Sequence, residues 1–375
     1  MKICIITHVE HIKLDNQYYG YAPYIREMNI WLRYVDQVII VAPIVNSELN
    51  PIYEKYNHSN IDFYKVVEFN VTSISNIIKT IFRLPKVFSA VYSAMNAADH
   101  IHLRCPGNMG LIGALVQIFF PRKKKTAKYA GNWDPKSKQP WSYLLQKWIL
   151  SNTFLTRNMQ VLVYGDWDNQ TKNIKPFFTA TYSEKELRIT NYELRSLNEE
   201  VINFLFVGTL SSGKQPLYAI QLVEELYKRG RKVTLELYGE GVLRKDLEQY
   251  IDQKELRTIV TLKGNQSKET VIKAYQTSHF LILPSKSEGW PKVVAEAMFW
   301  GCVPIATPVS CVSYMMGSGS RGIILQENIQ EDIIQIEKII QDSESFNKMA
   351  HEGQNWSRQF TTDKFEVEIS KLLLQ

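Results

Sequence analysis

Short apolar runs rich in β-branched residues recur along this 375-residue chain, and longer stretches with helical apolar spacing lie between them. Lys2-Ile-Cys-Ile-Ile-Thr7, Val38-Ile-Ile-Val-Ala42 and His100-Ile-His-Leu103 are the first three such runs. Continuous apolar runs of this length suit strands buried on both faces, the condition of a parallel sheet. Tyr24 to Tyr34 and Ile74 to Ala98 have the helical pattern, and strands alternating with helices imply parallel α/β structure. After a polar stretch at about 185–200 the alternation restarts. Val201–Val207, Lys232–Tyr238, Ile259–Leu262, His279–Pro284 and Val303–Thr307 read as strands, and Pro216–Arg229, Leu243–Ile251, Lys268–Thr277 and Lys292–Trp300 as helices. The pattern predicts two doubly wound domains, residues 1–190 and 200–355. Ligands are expected at the carboxyl ends of their strands, in a central cleft that the two domains face.

Composition sets the compartment and the partners. Hydrophobic residues make up 45% and charged residues 22%, which excludes disordered and fibrous classes. Cys4, Cys105, Cys302 and Cys311 show no redox or zinc spacing, so reduced thiols in a cytoplasm are expected. The N-terminus does not read as a secretory leader, and no apolar run approaches the ~18 residues of a membrane span. Residues 1–200 hold 24 basic and 17 acidic residues, so the net charge of +6 resides in that half. Arg122-Lys-Lys-Lys125 and Lys128 follow the apolar run 110–120. Segment 119–128 is therefore expected to dock on an anionic membrane surface, at about 1 kcal/mol per basic residue; the alternative is a solvated loop after a buried helix. Nucleic acid is not an expected partner, because aromatic and basic residues do not interleave.

The stretch from Pro284 to Gly301 carries the chemistry. Pro291 suits the first position of a helix, which leaves the amides of Lys292, Val293 and Val294 without intrahelical partners, an anion site. Glu296, about one turn in, is placed to accept hydrogen bonds from a vicinal diol such as ribose, and Glu288 to grip hydroxyls of a second group. The alternatives are a helix-end charge for Glu288 and a solvated face residue for Glu296. Upstream, Gly208 ends a strand where backbone can approach a ligand, and Lys214 is placed to neutralise a diphosphate. The segment is not a P-loop, because Gln215 breaks that spacing.

These motifs resemble the donor-site signature of retaining glycosyltransferase family 4, whose fold is GT-B. The resemblance rests on Glu288, seven residues, Glu296, then Ala297-Met298 and Gly301–Thr307. It also covers Phe206-Val-Gly208, Tyr238-Gly-Glu-Gly241, Leu262-Lys-Gly264, Leu283-Pro-Ser285 and Gly322, over 100 residues in order. It implies that Glu296 binds the ribose diol, Glu288 the donor sugar and Lys214 the diphosphate. Gly208, Thr209 and Gly241 would lie beside the phosphates, Lys263-Gly264 near the base. Backbone amides from Gly289 and Trp290 through Lys292, Val293 and Val294 would hold sugar hydroxyls and phosphates. It further implies a reaction with retention, no cofactor and no bound metal. A C-terminal helix over 356–375 would return to the first domain.

Two departures from the family pattern stand out. Thr209 occupies the place of a common arginine, for which Arg104 is a substitute unless it is a salt-bridged loop residue. The loop Tyr129–Asp134 lacks the histidine that many members direct at the donor sugar, leaving Asn132 or Asp134 for the acceptor or sugar side. The sequence reading is thus a transferase of a nucleoside-diphosphate sugar, UDP favoured over GDP. Its acceptor is expected to be a saccharide, lipid-linked as the basic segment suggests, at the cytoplasmic membrane face as in surface polysaccharide assembly. A nucleotide-sugar epimerase and a non-catalytic nucleotide-sugar binder are the alternatives. Asp166-Trp-Asp168 is discounted as a metal motif, and His8 and His11 are weighed as cleft-border or surface residues.

Overall fold

The computed structural model describes residues 1–49, 52–66, 74–188, 197 and 201–374. Most of the polar stretch expected as a linker at 185–200 lies outside them. The chain forms two compact units, Met1–Phe178 with Lys364–Gln375, and Thr179–Asp363.

The first unit is built on a seven-stranded parallel sheet. Its order is Ile174–Phe177, Met159–Tyr164, Lys124–Tyr129, His100–Cys105, Lys2–Ile6, Gln37–Pro43 and Ile61–Val66. The interior strand Lys2–Ile6 shows why an unbroken apolar run was needed: Ile3, Cys4, Ile5 and Ile6 are all fully buried, two facing each side of the sheet. The closing helix Thr362–Leu374 buries Phe365, Ile369 and Leu373 at four-residue spacing, with Phe365 packed on Phe177 and Phe178.

Two features of this unit depart from the sequence reading. Segment 119–128 does not form one exposed basic patch, because Lys124–Tyr129 is an interior strand. Lys128 is fully buried and ion-paired with Glu27 at 2.9 Å, while Lys125 bonds the carbonyls of Gln117 and Phe120. Lys123 closes the C-terminus of helix Ile74–Ala97 by donating to the carbonyls of Met95, Asn96 and Ala98. Only Arg122 and Lys124 of that run are exposed. The second departure is a small antiparallel sheet of His11–Leu14, Gln17–Tyr21 and Tyr53–Lys55, turned at Asp15 and Asn16, both at positive φ. It places His11 in the interior, bonded to the Tyr56 hydroxyl at 2.9 Å, rather than on the surface.

The second unit has a six-stranded parallel sheet in the order Val260–Gly264, Val233–Tyr238, Ile202–Val207, Phe280–Leu283, Val303–Ala306 and Ile323–Ile324. Numbered from its own start this is 3-2-1-4-5-6, the dinucleotide-fold order. The connections reverse direction between Ile202–Val207 and Phe280–Leu283, whose registers pair Phe204 with Phe280 and Leu205 with Leu281. The loops leaving those two strands therefore meet at the switch point.

The buried histidines make stability sensitive to acid. Burial lowers the pKa of His11 and His100 to about 4 and that of His102 to about 3. An unfolded histidine titrates near 6.5, so below that value the unfolded chain takes up protons that the native chain refuses. The stability these groups contribute is fully present above about 6.5 and is lost as pH falls toward their folded values. Denaturation followed from pH 7 to 4.5 should show an added slope that rises toward about 1.4 kcal/mol per pH unit for each of the three between roughly pH 6 and 5. A His102→Gln variant should lose one such increment.

Candidate functional site

Two loops at the switch point of the second unit are stitched together. After Ile202–Val207 the chain runs through Gly208 to Lys214 and enters helix Pro216–Lys228 from Gln215, held at φ 51°. The loop after Phe280–Leu283 runs from Pro284 to Pro291. The amide of Lys286 donates to the Gly213 carbonyl at 2.9 Å, and Gln215 Nε2 donates to the Pro284 carbonyl at 2.7 Å. Lys214 Nζ closes the third link, an ion pair with Glu288 Oε1 at 2.5 Å. The two side chains assigned to diphosphate and sugar are thus brought together from positions 74 residues apart. Glu288 is largely buried and Lys214 less so, a setting in which opposite charges attract more strongly than at the surface.

Glu296 has different partners. It sits on helix Lys292–Phe299, where Oε1 accepts from the Thr181 hydroxyl at 2.7 Å and Oε2 from the Tyr275 hydroxyl at 3.1 Å. Burial first and Glu296 second hold the Tyr275 pKa well above its ordinary value, so that hydroxyl remains a donor. Glu296 is therefore neither a freely solvated face residue nor in contact with the Lys214–Glu288 pair, and two hydroxyls fix its direction.

The helix start differs from expectation in detail. Pro291 is the residue before the helix, not its first turn, and its carbonyl accepts the Val294 amide at 3.0 Å. Val294 therefore has no amide to offer a ligand, and the open positions narrow to Lys292 and Val293. Trp290 turns its ring inward against Trp356 and Phe360. The loop is braced from behind by residues that the sequence reading did not single out. Ser310 Oγ and Cys311 Sγ donate to the Gly289 carbonyl at 3.0 and 3.1 Å, and Thr307 Oγ1 donates to the Ser285 carbonyl. Burial pushes the Cys311 thiol up to about 12, so it acts as a neutral donor. Ser310 has φ 54°, but no residue preference in the sequence marks it.

The remaining donor-side positions form a backbone shelf. Gly239, at φ +138°, lies so close to the first loop that a Cβ there would fall 2.0 Å from the Gly208 carbonyl oxygen. A Cβ on Gly241 would come within 2.4 Å of the Leu210 oxygen. The amides of Gly208 and Leu210 donate to the carbonyls of Tyr238 and Glu240. A Cβ on Gly208 would meet, among the described residues, only the Phe206 ring at ordinary contact distance, 3.7 Å. Thr209 is exposed. Gly264 accepts the Gly239 amide, whereas the Lys263 ammonium turns to Glu236 at 2.8 Å.

In the first unit, Arg104 takes the salt-bridged alternative: it pairs with Glu27 at 2.9 Å, the carboxylate that also holds Lys128. Asn132 and Asp134 spend side-chain oxygens on their own turn, Asn132 Oδ1 accepting the Asp134 amide and Asp134 Oδ1 the Lys136 amide. Asp166 and Asp168 are exposed, and among the described residues no three His, Cys, Asp or Glu side chains cluster as a metal group.

Residues 193–356 match the family described as "Glycosyl transferases group 1". The chain is 30% identical over 147 residues to an alpha-D-kanosaminyltransferase of Streptomyces kanamyceticus, covering 39% of this chain and 38% of that one. It is 27% identical over 177 residues to an uncharacterized glycosyltransferase of Methanocaldococcus jannaschii, covering 47% and 49%. The chain spans no more than about half the length of these curated relatives. HepE of Anabaena, solved with UDP and glucose, superposes with a TM-score of 0.65 at 16% identity, covering 100% of this chain and 99% of that one. The fold is α/β of the GT-B type, with two Rossmann-like domains, and the group 1 match lies almost wholly within the second unit.

The glycine shelf is testable against its open neighbour. Gly239→Ala should lower stability by about 3 kcal/mol, through backbone collision and a disfavoured φ. Gly213→Ala, whose Cβ meets nothing within 4 Å, should change it by less than about 0.5 kcal/mol. Urea denaturation of the two variants makes the comparison.

Proposed function

We propose that this chain is a family 4 retaining glycosyltransferase that moves a sugar from a nucleoside-diphosphate sugar, UDP in preference to GDP, to a lipid-linked saccharide at the cytoplasmic membrane face. Bacterial-type surface polysaccharide assembly is the setting that fits such an acceptor. The observation that carries the reading is the meeting of Lys214 and Glu288 at the strand switch point. Glu296, fixed one turn into the adjoining helix, and the group 1 match over 193–356 support it. UDP is favoured because solved proteins of the same fold, HepE among them, hold UDP.

In this reading Lys214 and the amides of Lys292 and Val293 take the donor diphosphate, and the space beside Gly208 admits it close to backbone. Glu288 accepts hydrogen bonds from donor-sugar hydroxyls once Lys214 turns to phosphate, and Glu296 orients the ribose diol. The bond from the sugar's anomeric carbon to the phosphate oxygen breaks as the acceptor oxygen bonds the same face. The acceptor's proton passes to a donor phosphate oxygen, and the positive charge of Lys214 stabilises the departing diphosphate. No metal or cofactor is required by these steps. The exposed Thr209, where family members commonly have arginine, favours one second reading, a non-catalytic nucleotide-sugar binder.

Thermal stabilisation by UDP, GDP, ADP and NAD, each with and without EDTA, tests the site. A ligand at 100 times its dissociation constant adds about 2.7 kcal/mol. The expected result is a UDP shift that survives EDTA; a shift only with metal would overturn metal independence, and a GDP-selective shift the choice of base. Glu288→Ala should abolish transfer while keeping the UDP shift, and Lys214→Ala should weaken it by roughly tenfold or more, the loss of a charged hydrogen bond. Nucleotide-sugar binding without turnover on any acceptor would favour the non-catalytic reading.

A further inference from the structure

The amino-terminal edge of the first unit's sheet carries a second concave surface, at the opposite ends of its strands from Arg104 and the 129–134 loop. An open cavity of about 800 Å³ lies where His100, Lys124 and Met159 begin their strands. Five exposed cations line it, Arg122, Lys124, Arg157, Lys172 and Lys175, and no Asp or Glu does. None of the five has a carboxylate partner among the described residues. His100 lines the cavity with 1% of its surface exposed; its Nε2 bonds Thr126, and its Nδ1 has no hydrogen-bond partner. Cations gathered without counter-charge repel one another, a cost that a bound anion removes.

Exposed aromatic residues sit in the two segments that bring Arg122 and Arg157 to the basin. Phe119, 62% exposed, directly precedes the segment carrying Arg122, and Phe154, 70% exposed, lies in the turn carrying Arg157. The Arg157 guanidinium stands 4.6 Å from the Phe154 ring centroid. Gln117 Nε2 bonds the Leu155 carbonyl and Asn158 Nδ2 the Pro121 carbonyl, so the two segments form one surface. Helix Trp141–Ser151, leading into Phe154, exposes Trp141, Leu144 and Trp148 along one face.

We propose that this surface docks the protein on an anionic phospholipid bilayer, with lipid phosphates in the basin and Phe119, Trp148 and Phe154 at the headgroup boundary. It deepens the membrane-face reading above and keeps only Arg122 and Lys124 of the 122–128 run in the contact, since the other three lysines are spent inside the fold. Charge complementarity selects the bilayer over a second copy of this chain, whose own basin would repel it. The exposed rings select it over a soluble polyanion, which has no use for them; aromatic and cationic side chains together are the signature of the membrane interface.

Co-sedimentation of the full chain with vesicles tests the proposal. Binding is expected to phosphatidylglycerol–phosphatidylcholine vesicles, not to phosphatidylcholine alone, and to fall with salt. Arg157→Glu/Lys172→Glu/Lys175→Glu should lower partitioning by about 100-fold or more, at roughly fivefold for each basic residue. Trp148→Ser/Phe154→Ser should weaken it with the salt dependence unchanged. The same charge change at the exposed Lys245, Lys254 and Lys348 of the second unit should leave binding in place. Equal loss in both triple variants, no binding to anionic vesicles, or binding of inositol hexakisphosphate alone would each overturn the proposal. The UDP thermal shift of every variant is read separately: it reports folding, and its absence in the unmodified chain counts against the donor site rather than this surface.

Discussion

A parallel strand buried on both faces has no place for a functional side chain except near its ends, and that constraint orders this molecule. In the second unit the strands' carboxyl ends deliver Gly208, Lys214, Glu288 and the helix bearing Glu296 to one switch point. In the first unit the carboxyl ends hold the buried Glu27, which takes Arg104 and Lys128 together. The amino ends gather the uncompensated cations of the basin. Where a charged residue does enter a strand interior, as at Lys125 and Lys128, the fold surrounds it with carbonyls or a carboxylate.

The two switch-point loops show how close packing divides the glycines. Gly239 and Gly241 serve the protein, letting the second strand's loop lie against the first loop's backbone. Gly208 serves no internal contact of that kind. The first two build the shelf and the third leaves it open. Behind the shelf, Thr307, Ser310 and Cys311 spend their donors on carbonyls of the 285–289 backbone, so the loop bearing Glu288 is held from the far side.

The sheets were legible because two-sided burial demands unbroken apolar runs, and Ile3 to Ile6 or Phe280 to Leu283 can hardly be read otherwise. Strand Lys124–Tyr129 was hidden because lysine normally seeks solvent, and its internal partners lie far away in sequence, Glu27 by about a hundred residues. His11 was misplaced for a similar reason: the hairpin at Asp15-Asn16 that buries it has a turn pair weaker than Asn-Gly as a signal. Glu288, Glu296 and Lys214 were picked out by spacing, but their partners were not. That Lys214 meets Glu288, while Thr181 and Tyr275 claim Glu296, depends on which loops a doubly wound sheet places side by side. The Pro291–Val294 bond, which removes one expected amide, is a one-residue matter of helix geometry that sequence preference does not resolve.

The second unit begins and ends at one place. Its first residues and its last run past each other, with the Thr362 amide donating to the Tyr182 carbonyl and the Glu184 amide to the Asp363 carboxylate. In chain terms residues 179–363 are an insertion within a host whose final helix comes from beyond it. Paired ends are the condition under which a segment can be lifted out, transplanted or circularly permuted without leaving a gap in either part. They also mean that a protease cutting once anywhere between the units leaves them tethered by the other crossing.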